Sequence, residues 1–140
     1  MADVLIDFAA LLNSIQPIAQ AVAGRIYPAW NRDRGKDTPT ILYEKIAVDR
    51  DEPLGMGGRG GLANYTIALE VLGKSYRQAR EVAEKVRINL DCKSETVGDT
   101  EFQLIRIIGE SDEFIEETNI YKTTFDLEVW ASESAPVAVA

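Results

Sequence analysis

From Tyr121 to Trp130 the chain alternates without a break, and this stretch constrains the fold more than any other. Tyr121, Thr123, Phe125, Leu127 and Val129 fall on one side; Lys122, Thr124, Asp126, Glu128 and Trp130 fall on the other. A period of two belongs to an extended chain whose side chains point to opposite faces, one buried and one wetter. A single strand cannot bury that face, so the pattern demands sheet neighbours and a covering layer. Ala63 to Leu72 offers a second such strand, with Tyr65, Ile67, Leu69 and Val71 on one face. Thr40 to Val48 and Glu101 to Ile108 are further strands, rich in β-branched and aromatic residues. Arg25-Ile26-Tyr27-Pro28 reads as a brief extended piece that Pro28 ends.

The covering layer is also legible. Val4, Leu5, Phe8, Leu11, Leu12 and Ile15 recur at helical spacing. Asp3 stands where its carboxylate would cap that helix, and Pro17 breaks or re-aims it. A short turn from Ile18 to Ala23 then stops at Gly24, which suits a left-handed cap. A longer helix opens at Ser75-x-x-Gln78, a capping-box pattern, and stacks Ala79, Val82, Ala83, Val86 and Leu90 on one side. Glu81 and Lys85, four apart, are placed for an ion pair on its outer face. The sum is an α+β fold: two helices on one mostly antiparallel sheet of about four to five strands. No linker or repeat divides the chain, so residues 1–131 form one domain, and residues 132–140, small and apolar without period, form a disordered tail.

Composition narrows the chemistry. With 140 residues the chain fits one domain with its own core. Asp and Glu number 23 against 15 Lys and Arg, a net charge of −8, which argues against gripping nucleic acid by its phosphates. There is no histidine, which removes the commonest general base and metal ligand. Cys92 is the only cysteine, so no intrachain disulfide and no cysteine-based zinc site can form. The opening Met1-Ala2-Asp3-Val4 lacks the basic region of a signal peptide, and no apolar run approaches the roughly 20 residues that span a bilayer. The expectation is a protein made in the cytoplasm, outside any membrane, without metal or cofactor.

Two segments carry candidate sites. Gly55-Met56-Gly57-Gly58-Arg59-Gly60 formally matches a dinucleotide-binding pattern, but it leads into a strand, where no helix N-terminus would receive a pyrophosphate. A loop between strands, or one that orders against a neighbouring subunit through Gly57, Gly58, Arg59 and Gly60, accounts for it better. A ligand-binding module using this loop is the alternative from a different class. The second segment is Glu110 to Glu117, where Glu110, Asp112, Glu113, Glu116 and Glu117 crowd the connection between two strands. No basic residue lies inside it, and its spacing is not that of a calcium loop. Such acids could repel phosphate, keep a hairpin end soluble, or rim a contact. Phe114 and Ile115 among them favour the contact, since a purely solvated loop has no need of either. Asp49, Asp51 and Glu52 form a smaller charged loop, interrupted by Arg50.

The order of short patterns resembles the tail-completion, or tail-terminator, proteins of long-tailed bacteriophages. The helical opening leads to Gly24-Arg25-Ile26-Tyr27-Pro28, then Thr38-Pro39-Thr40-Ile41-Leu42-Tyr43. Leu69-Glu70-Val71-Leu72-Gly73-Lys74-Ser75-Tyr76 follows as a strand entering a helix, and the chain closes on Tyr121 to Trp130. The resemblance spans residues 4 to 131 and departs at Leu72-Gly73, where the family more often has Trp and a small residue. It implies a structural, non-enzymatic subunit with no catalytic residues. Such proteins form a ring, usually hexameric, on the head-proximal end of the tail tube. There the ring ends polymerisation and meets the head–tail connector, while DNA passes through the bore without specific binding. The implied location is the virion tail, with assembly in the host cytoplasm. A neck or head-closure protein of similar fold is the neighbouring alternative.

Overall fold

The computed structural model describes residues 3–30, 37–50 and 62–132. Helix α1 (Val4–Ser14) starts where the Leu5 and Ile6 N–H groups donate to Asp3 Oδ1 at 3.0 and 3.1 Å, satisfying donors that the first turn cannot. Pro17 sits in the first turn of α2 (Gln16–Ala21), where its missing N–H costs nothing. That helix ends through Ala23 and Gly24, both at positive φ, and Gly24 adopts this conformation without strain. Helix α3 (Tyr76–Leu90) is capped by Ser75, whose Oγ accepts from Gln78 N–H at 3.1 Å. Gln78 reaches back to Lys74 N–H at 2.9 Å, one residue beyond the usual capping-box partner. Glu81 pairs backward with Arg77 at 3.0 Å, in place of the expected Lys85.

The strands are β1 (Ile26–Pro28), β2 (Thr40–Arg50), β3 (Leu62–Gly73), β4 (Lys93–Val97), β5 (Thr100–Ile115) and β6 (Ile120–Ser132). They form one six-stranded sheet in the order β1-β2-β3-β6-β5-β4, antiparallel apart from the β1–β2 pair. The α+β class holds, with three helices in place of two and six strands in place of four or five. The added strand is β4, a mostly polar run whose one apolar residue, Val97, is too little to show a period. Strand β6 runs on through Ser132, the first residue of the expected tail; residues 133–140 lie outside the described residues.

The helices cover one face of the sheet. Ile67 and Leu69 of β3, Phe125 and Leu127 of β6, and Ile105 of β5 are all fully buried against Phe8, Leu11, Leu12, Val86 and Leu90. Phe8 meets Tyr43 edge-on with ring centroids 6.4 Å apart, and Phe102 at 6.3 Å. One polar lock joins α1 to the β4–β5 turn: Thr100 Oγ1 donates to Asp7 Oδ2 at 2.5 Å. Gly98, at φ +58°, lets that turn pass so close that an added Cβ would lie 2.7 Å from Asp7 Oδ1. Strand β5 is bulged twice against β6, between Phe102 and Leu104 and between Ile107 and Gly109. Downstream of the second bulge its even-numbered residues share the helix-covered face.

Candidate functional site

The acidic segment is a strand rather than a loop. Glu110 to Ile115 continue β5, pairing Glu110 with Phe125, Asp112 with Thr123 and Phe114 with Tyr121; only Glu116 and Glu117, with the next two residues, make the turn to β6. Its acids also have basic partners, supplied from elsewhere in the fold. Arg80 of α3 donates through Nη1 to Glu110 Oε2 at 2.8 Å and to Asp112 Oδ1 at 3.2 Å. Thr123 Oγ1 donates to the same Asp112 oxygen at 2.6 Å. Partial burial works against the Arg80 charge, but its bonds and attraction to Glu110 and Asp112 outweigh that and raise its pKa. On the other face, Lys122 Nζ lies 3.6 Å from Glu113 and 3.5 Å from Glu70. Among the described residues, no group of three or more acids or cysteines is placed to hold a metal ion.

Phe114 stacks on Tyr121 with centroids 4.6 Å apart, and Tyr121 meets Tyr76 of α3 edge-on at 6.2 Å. Even so, Phe114 remains 42% exposed. Ile115 is half-buried, while Glu113, Glu116 and Glu117 are exposed. Beyond Ile107, whose N–H donates to Asp91 Oδ1 at 2.9 Å, no described strand pairs with the outer side of β5. That leaves a free edge carrying exposed Ile108 and Phe114. Bulges and charges of this kind are common protection for such an edge. The other candidate residues, Gly57, Gly58, Arg59 and Gly60, lie outside the described residues, as do Asp51 and Glu52. Asp49 is exposed near the end of β2.

The opposite side of the molecule holds a surface that the sequence reading did not single out. Leu5, Ile6, Pro28, Trp30, Tyr43 and Lys45 line a groove of about 570 Å³ between α1 and the β1–β2 edge. Trp30 is 84% exposed and Ile6 66%, a large outlay of apolar surface on one patch. Burial, and then the charge of Asp3, raises the pKa of the Tyr43 phenol, which keeps it neutral. Lys45 forms no ion pair among the described residues. Trp30 itself was the available signal, a large aromatic at the start of a polar stretch.

No protein-family model matches the sequence. No curated protein matches it either. Among solved structures, the fold is similar to a chain from the "virion of native gene transfer agent (GTA) particle", with a TM-score of 0.63 and 12% identity, over 95% of this chain and 100% of that one. At that identity the likeness establishes a shared α+β architecture from end to end.

Proposed function

We propose that this protein is a structural subunit of a phage or phage-derived particle, and that it forms a ring capping the head-proximal end of the tail tube. The observation carrying this reading is the end-to-end likeness in fold to a virion chain. The placement of its exposed apolar surfaces supports it. One lies at the β1–β2 edge and the other on the β5–β6 hairpin, with β3 between them. Two unlike patches at opposite edges suit a head-to-tail contact, the kind that closes into rings.

In this reading the ring ends tube polymerisation and meets the tail tube protein on one side and the head–tail connector on the other. DNA passes through without specific binding, in keeping with a charge of −8. The protein is not an enzyme: it works by shape and adhesion, and its acids serve the hairpin's own ion pairs. The test is electron microscopy of particles made without this gene. Tails of uncontrolled length, or tails never joined to heads, are expected; normal tails on filled heads would refute the role.

A further inference from the structure

We propose that the sheet continues from one copy of this chain into the next, its two edges being stepped to fit each other; the contact rests on the ring reading above. On one edge, β1 covers the outer side of β2 at Ile41 to Tyr43, and no described strand covers Glu44 to Arg50. On the other edge, β4 covers β5 from Thr100 to Ile105, and no described strand covers Gly109 to Ile115. The ladders in between set these uncovered halves at opposite ends of the sheet. Arg50 stands level with Phe102, through Ala63 and Ala131, and Glu44 stands level with Gly109, through Ala68 and Asp126. By the same count the covered residues, Ile41 to Tyr43, stand level with Asp112 to Glu110. Where one edge is recessed, the other protrudes.

A second copy, turned about an axis along the strands, closes the step from both sides. Its β4 comes beside the uncovered half of β2, and the uncovered half of its β5 comes beside β1. The strand directions make the first contact parallel and the second antiparallel. At equal height the joint sets Glu95 opposite Arg50 and Glu113 opposite Arg25, two pairs of unlike charge. Joining like edges about a two-fold is worse on both sides. Two β5 edges would bring Glu110, Asp112 and Glu113 against the same acids. Two β2 edges, with their faces matched across the bulge at Ile46, would set Lys45 opposite Arg50 or Glu44 opposite Asp49. Like charges directly opposed across strands are destabilising. The bulges on the uncovered halves deter a flat, unrelated strand, so the contact depends on the fit of the step. Each copy therefore joins one neighbour through β1–β2 and the other through β5–β4.

Crosslinking tests the joint in the full chain, free and in particles, with Cys92→Ser as background. Arg50→Cys and Glu95→Cys are made singly and together; both positions are exposed. Bridged by a short bismaleimide, the double variant should give a ladder of linked chains. A mixture of the two single variants should stop at dimers, and each single variant alone should stay unlinked. In the double variant, Glu113→Lys or Arg25→Glu should each cut the linked fraction about fivefold, and the two together should restore it. Linking within one single variant would mean a symmetric contact, and no linking in the mixture, free or in particles, would mean no joint; either overturns the proposal. A charge swap that restores nothing overturns it too, because the register would be wrong. Tails made without the gene report on the ring separately. Normal tails there, with a ladder in the free chain, would sink the ring and leave the joint, whereas defective tails with no linking would do the reverse.

Discussion

Phe125 and Phe114 share one face of the sheet, yet one is sealed in the core and the other lies open. Phe125 is fully buried beneath the helices, beside Leu69 of β3. Phe114 stands four rungs further along the β5–β6 ladder than the Glu110–Phe125 pair, past the reach of any helix except the first turn of α3. Between them, the helix-facing positions of β5 are Glu110 and Asp112, held by the Arg80 guanidinium. The centre is stabilised by apolar area, which is strong and carries no charge for salt to screen. The hairpin depends on ion pairs and one aromatic stack, which are weaker in water and adjustable.

The contrast can be broken most forcefully from the core side. Phe125→Ala should cost about 3–5 kcal/mol in urea unfolding. A loss under about 1 kcal/mol there would mean the centre is not the stabilising half. Arg80→Ala should cost about 1–2 kcal/mol, because it leaves Glu110 and Asp112 facing each other without their cation. Hydrogen exchange should place most of the added opening in Glu110 to Ile115, and uniform loosening of the sheet would contradict the division. Phe114→Ala should cost only about 0.5–1.5 kcal/mol, the scale of one aromatic pair, by the same unfolding assay.

The smallest effect is a pH dependence on the outer face of α3. There the Arg87 hydrogen bond, with the Arg87 and Arg80 charges, lowers the pKa of Glu84. A lowered carboxylate pKa adds stability above its unfolded value and loses it as pH falls through the folded value. Glu84→Gln should therefore be slightly less stable than the parent at neutral pH and equal to it in acid. A difference that grows in acid would reverse the assignment.

Periodicity revealed the centre because burial there is continuous: the helix-facing residues of β3 and β6 and the inner stripe of α3 all lie where alternation or helical spacing puts them. It failed at the hairpin for a physical reason. Acids are poor strand formers on their own, and Glu110 to Glu113 become strand only through β6 and an arginine thirty residues upstream, which no local window contains. Strand β4 was missed because its residues stay exposed or half-exposed at the edge of the sheet. Of the candidate site, Phe114 and its acids were legible as apolar residues out of place among charges. The groove was not, since Ile6, Trp30 and Lys45 come from three separate segments that only folding brings together.

The second bulge of β5 has a consequence for how the length of this chain can vary. Ile107 pairs with Leu127 and Gly109 with Asp126, so Ile108 is a supernumerary residue, exposed and matched by nothing on β6. Deleting Ile108 would leave every rung above and below it in register, merely straightening the strand. Deleting a residue such as Ala68 from the unbulged β3–β6 ladder would turn half a strand inside out, carrying Leu69 and Val71 into water. The hairpin can therefore gain or lose a residue where it leaves the core, and its direction can change without rewriting the core's alternation.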